Sequence, residues 1–154
     1  MRFHQIKELV AWAADYHGGL AEQYTKLAAG GVDERVRMAL EYLAEHERKM
    51  QSDLTAYLGE NGGHRAVLET WFDDPTDFPH PPVLERLPGC IDCESVQSVL
   101  ATALTAHRTL QDLYAHRSDK AGADSEREFF DSLSAGHEAE VRRIARDMQR
   151  LEDY

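Results

Sequence analysis

His17-Gly-Gly-Leu20-Ala-Glu-Gln-Tyr24 and His107-Arg-Thr-Leu110-Gln-Asp-Leu-Tyr114 share one pattern, His-x-x-Leu-x-x-x-Tyr, and what surrounds the two copies decides the fold. Around the first copy, Ile6, Val10, Ala13, His17, Leu20, Tyr24 and Leu27 step by alternating fours and threes. That is the spacing of the buried seam of an amphipathic helix, and Gly30-Gly31 stops it. Around the second, Val96, Leu100, Ala103, His107, Leu110 and Tyr114 step the same way. Each copy is followed by another seam: Val36, Leu40, Leu43, Glu47, Met50, Leu54 and Tyr57, then Phe130, Ser134, His137, Val141, Ile144, Met148 and Leu151. These seams predict an all-α chain with helices over 3–29, 33–59, 94–118 and 125–152. Ser125 and Glu128 read as a capping box for the last of them.

Short connections make each consecutive pair an antiparallel hairpin. The stretch 60–93 differs: it holds all five prolines, with Trp71 and Phe72, and no sustained period. Proline removes backbone donors and blocks a long regular helix. At about 3.3 Å per extended residue, such a stretch can travel the length of a ~40 Å helix. The expectation is therefore one domain, 1–154, in which a crossover at 60–93 joins two hairpins. Trp71 and Phe72 are expected to pin that crossover to the helices, with a partner-binding loop as the sharper alternative.

The two hairpins read as an internal repeat. His46-Glu47 stands in the second helix and His137-Glu138 in the fourth, 29 residues after His17 and 30 after His107. Each histidine pair then lies at one level, about 15 residues or ~22 Å from its glycine-containing turn. A twofold arrangement would gather His17, His46, His107 and His137 into one layer, with Glu47 and Glu138 beside them. Neighbouring positions on a helix are ~100° apart, so the width of the buried stripe leaves open which member of each His-Glu pair faces inward. Tyr24 and Tyr114, one heptad from the histidines, are expected to pack as aromatics.

Two hairpins, a long crossover and His-Glu pairs on the second and fourth helices resemble the ferritin-like superfamily, its rubrerythrin-type four-helix bundles in particular. The resemblance covers 3–59 and 94–154. The His–Glu layer supplies the candidate metal site, His17, His46, Glu47, His107, His137 and Glu138, with iron or zinc as the cofactor, and the resemblance implies oxidoreductase or peroxide-scavenging chemistry. The family's Glu-x-x-His motif is not repeated here, because Met50 and Val141 stand three residues after Glu47 and Glu138. The His-x-x-x-Glu spacing of hemerythrin-like proteins fails at these pairs too, because Met50 and Val141 also stand four residues after His46 and His137. The alternative is a metal-free bundle whose His–Glu layer fixes packing, acting as an interaction or regulatory module.

The formal charge of −11 argues against nucleic acid, whose phosphates require a basic face, and against an anionic membrane surface. No apolar run approaches the ~20 residues that span a bilayer. Met1-Arg2-Phe3-His4 does not open an export signal, and two cysteines cannot build a disulfide scaffold, so a cytoplasmic location is expected. A lone Cys90-Ile-Asp-Cys93 reads as loop cysteines, with a redox dithiol or half a shared metal site as the alternatives. The alternating Arg and Glu of the second and fourth helices read as a salt-bridged solvent face. Trp12, off its seam, is expected under the crossover or in a homodimer interface.

Overall fold

A computed structural model describes residues 3–59, 65–72 and 95–153. Over these the chain is helical: α1 (Ile6–Ala28), α2 (Glu34–Leu58), a short α3 (Arg65–Leu68), α4 (Val96–Asp119) and α5 (Asp124–Glu152). The prolines, His64, His80, Cys90, Cys93 and most of the expected crossover lie outside the described residues. α1 packs along α2 and α4 along α5, while α2 also meets both helices of the second pair. None of the described helices is long and apolar enough to cross a membrane.

The seams are what pack. Ile6, Val10, Leu20 and Tyr24 of α1, Leu40 and Leu43 of α2, Leu110 of α4 and Phe130 of α5 have no exposed surface to speak of. Gly31 takes φ +79° between α1 and α2, a left-handed conformation that costs glycine nothing and strains other residues. Asp33 caps α2 by accepting from the Arg35 backbone N–H at 3.2 Å, and Ser95 with Ser98 forms the box that starts α4.

Two expectations need correction. The capping box at Ser125 and Glu128 is not formed. α5 starts one residue earlier, after Ala123, and Ser125 lies inside its first turn. Glu126 instead reaches back to accept from the Gly122 N–H at 3.3 Å. Its carboxylate, with that of Asp124, faces the positive end of the helix dipole. At the other end of the chain α1 begins at Ile6, because the residues before it take extended backbone. His4 accepts from the Phe72 N–H at 2.8 Å, and Ile6 donates to Thr70 at 3.1 Å.

That pairing holds the segment after α3 against the start of α1. Phe72 is buried, stacks on Phe130 and carries the Arg117 guanidinium 4.3 Å above its ring. Trp71 takes part through its backbone, paired opposite Gln5, while its side chain is 64% exposed with its ring 6.0 Å from that of His4. Trp12 sits half-buried in a row between Phe3 and Tyr16.

Gly136, in the middle of α5, has open space where a side chain would begin. Glycine inside a helix costs roughly 0.5–1 kcal/mol relative to alanine. Gly136→Ala is therefore expected to raise stability by about that amount in urea titration. A loss of stability would show that the position is packed after all.

Candidate functional site

Each of the four long helices sends one polar side chain to the same level of the core. His17 (α1), Glu47 (α2), His107 (α4) and His137 (α5) are 1%, 0%, 2% and 6% exposed. Glu47 lies between two imidazoles: its Oε2 is 2.5 Å from Nδ1 of His17, and its Oε1 is hydrogen-bonded to Nε2 of His107. His137 is tied in through Nε2, 2.9 Å from the backbone carbonyl of His107. The three rings stand 5.0–5.9 Å apart, centre to centre, with His107 and His137 stacked.

The acceptors fix where the protons are. An ionised carboxylate and a backbone carbonyl only accept, so His17 Nδ1, His107 Nε2 and His137 Nε2 each carry a hydrogen. The opposite nitrogens have no hydrogen-bond partner. That of His107 is sealed in the core. Those of His17 and His137 belong to rings that form the inner wall of a cleft of about 460 Å³ between α2 and α5.

Charge in the layer follows from burial and pairing. Burial pushes the Glu47 carboxyl up, but the attraction and hydrogen bonds of His107 and His17 outweigh it and bring the group down to about 2. Burial, reinforced by the neighbouring His107 and His17, lowers His137 to about 3. At neutral pH His137 is thus an uncharged imidazole, and its Nδ1 is a lone pair.

Two of the six expected site residues are not in the layer. His46 turns to the α2–α5 flank, against the Tyr42 ring and 3.5 Å from Glu140 Oε2. Glu138 pairs with Arg142 one turn on, and its side chain is 44% exposed. The inward members of the two pairs are Glu47 and His137.

Two further residues of the cleft stand outside those six. Glu140 lines it one turn beyond His137 on the same helix face. Its Oε1 accepts from Lys49 at 3.0 Å and Arg143 at 3.1 Å, and its buried Oε2 makes no hydrogen bond. The i, i+3 spacing from His137 is the signal that could find it. Tyr114 is 1% exposed, meets the His137 ring edge-on at 5.9 Å, and its hydroxyl has no partner. Burial raises its pKa, so the phenol stays protonated. One heptad separates Tyr114 from His107 along α4, but the facing helix brings His137 to it.

Among the described residues, no three His, Cys, Asp or Glu side chains are placed to hold a metal ion as they stand. No family model matches the chain, and no curated protein or solved structure does either.

Proposed function

We propose that this chain is a ferritin-like four-helix bundle of two related hairpins that binds one divalent transition-metal ion, iron or zinc, on the cleft side of its histidine layer. The hydrogen-bond polarity of the layer carries this reading. Metal-ligating histidines almost always donate their second N–H to a carboxylate or a backbone carbonyl. Here His17 donates to Glu47, and His137 to the His107 carbonyl. The rings that carry these unpaired nitrogens line the cleft, as does Glu140, whose Oε2 makes no hydrogen bond and lies 3.5 Å from His46 Nδ1. His17, His137 and Glu140 would be the ligands, a two-imidazole, one-carboxylate set that suits Fe²⁺ or Zn²⁺. Glu47 and His107 would orient them from behind. Lys49 and Arg143 now hold Glu140, so an ion there competes with two cations for its charge.

The residues do not fit the paired irons of rubrerythrin-type sites. That arrangement needs carboxylates from both hairpins, whereas among the described residues Glu47 is the one carboxylate in the layer and both its oxygens serve imidazoles. A single bound ion would supply a Lewis-acidic centre, and iron a redox couple as well. For their part, the protein's residues keep His17 and His137 in ligand tautomers and exclude water from the core side of the layer. Oxidoreductase or peroxide-scavenging activity is the reaction class the family resemblance contributes.

One observation favours the second reading, a metal-free bundle serving as an interaction or regulatory module. The layer already satisfies both oxygens of Glu47 and ties in all three rings, so it can stand as a packing device. Elemental analysis of protein purified without chelator or nickel resin separates the two. The metal reading expects close to one equivalent of iron or zinc per chain, reduced by His137→Ala and by Glu140→Ala but not by His4→Ala. Less than about a tenth of an equivalent of every transition metal would leave the second reading standing alone.

A further inference from the structure

We infer that a hollow on the α1–α2 face binds a free basic amino acid of the lysine type over the Gly18-Gly19 backbone. The two copies of the helical repeat differ here: the first has Gly18-Gly19 where the second has Arg108-Thr109. Two glycines in a helix interior work against the helix. What they provide is the bare floor of a space of about 400 Å³, lined also by Asp15, Glu22, Arg48 and Gln51. Gln51 lies across Gly18, its amide nitrogen 2.5 Å from where a Cβ would stand, so a side chain at that position would displace it.

The hollow holds charges of both signs that do not neutralise one another. Arg37 of the same helix binds Glu34 and Glu41. Arg48 donates to the Thr25 hydroxyl at 2.8 Å and meets no carboxylate among the described residues. Asp15 and Glu22 have no hydrogen-bond or ion-pair partner among those residues either. They stand ~10.5 Å apart along α1, on either side of the glycines. Two separated carboxylates and one guanidinium are complemented by two separated cations and one carboxylate. A basic amino acid carries that set in its α-ammonium, its side-chain cation and its α-carboxylate. The guanidinium fork of Arg48 suits the carboxylate, and the volume lies in the range of small-molecule sites. The protein's charge of −11 favours a ligand of net positive charge. The hollow shares no residue with the cleft, so this inference is independent of the metal reading.

Titration of the full chain with L-lysine, followed by amide NMR, should give saturable shifts centred on Gly18 and Gly19. Cadaverine lacks the carboxylate and L-norleucine the side-chain cation. Each should bind about three- to fivefold more weakly than lysine, the worth of one exposed ion pair. Arg48→Gln should erase the advantage of lysine over cadaverine, and the double variant Asp15→Asn/Glu22→Gln its advantage over norleucine. All three side chains are exposed, so the fold is not at stake. Nα-acetyl-lysine, which presents the residue as it ends a protein chain, should also bind more weakly. The inference is overturned if no saturable shifts appear at the two glycines, if cadaverine or norleucine binds as tightly as lysine, or if the variants leave these differences in place. Equal binding of acetyl-lysine would overturn the free amino acid as ligand and assign the hollow to a protein's C-terminal lysine.

Discussion

Glu47→Ala is expected to lower folding stability by about 3–5 kcal/mol, because two buried N–H groups lose their acceptor, at ~1–3 kcal/mol each, and a cavity is left behind. Glu47 has no exposed surface, and both its oxygens accept from imidazoles that are themselves 1% and 2% exposed. Alanine would leave two buried N–H groups without an acceptor and a void the size of the lost carboxyethyl group. The midpoint of thermal unfolding should fall by roughly 10 °C, given about 2–4 °C per kcal/mol at this chain length. Glu47→Gln should cost less. Its amide oxygen still accepts from one ring, while its NH₂ meets the N–H of the other. Glu138→Ala, beside an exposed Arg142 pair, should change stability by no more than about 0.5 kcal/mol. Urea titration of the three variants in chelator-containing buffer gives the comparison without a metal contribution. A loss below about 1 kcal/mol for Glu47→Ala would mean that the carboxylate does not hold the layer.

The contrast between Glu47 and Glu138 also marks how far periodicity alone reaches. Seam positions such as Ile6, Leu40, Leu110 and Ile144 are legible in the sequence because burial along a helix repeats every 3.6 residues, and each is buried. Gly30-Gly31 is legible as a stop because a tight turn there needs the backbone freedom that Gly31 uses. The orientation of His46-Glu47 and His137-Glu138 is not. Adjacent residues lie ~100° apart, inside the width of one buried stripe, so periodicity assigns both or either. What selects Glu47 over His46 is the pair of imidazoles arriving from α1 and α4, and what selects His137 is the His107 carbonyl. Those partners are 30 and 60 residues distant in sequence. The start of α5 escapes sequence reasoning for a related reason. Ser125 with Glu128 has the local chemistry of a cap, but Glu126 reaches back to Gly122 and the helix begins before the serine. Tyr114 looks remote from the histidines when distance is measured along α4 alone, whereas its neighbour His137 comes from α5.

Acid should weaken this protein well above the pH at which carboxylates protonate, and His137 is the reason. Its folded-state pKa is lowered from 6.5 to about 3 by burial and by the neighbouring His107 and His17. Below pH 6.5 the unfolded chain therefore binds a proton that the folded chain refuses. The stability this histidine contributes is complete above pH 6.5 and is lost as the pH falls from there towards 3. Between pH 7.5 and 5.0 the loss amounts to about 2 kcal/mol, at 1.4 kcal/mol per pH unit once the unfolded imidazole titrates. Glu47, brought from 4.5 down to about 2, works in the same direction only below pH 4.5, where the unfolded chain takes up its proton first. The net charge of −11 acts oppositely, because protonating surface carboxylates relieves repulsion. That relief also belongs mainly below pH 5, so histidines govern the interval from 7.5 to 5.0, and comparison with a His137 variant assigns this ring's share. Urea titrations across it, in chelator-containing buffer, should give a falling stability for the native sequence and a flatter one for His137→Gln, whose amide can still donate to the His107 carbonyl. Equal slopes in the two proteins would remove His137 as the cause, and a native stability unchanged down to pH 5.0 would mean that this ring is not held neutral in the folded chain.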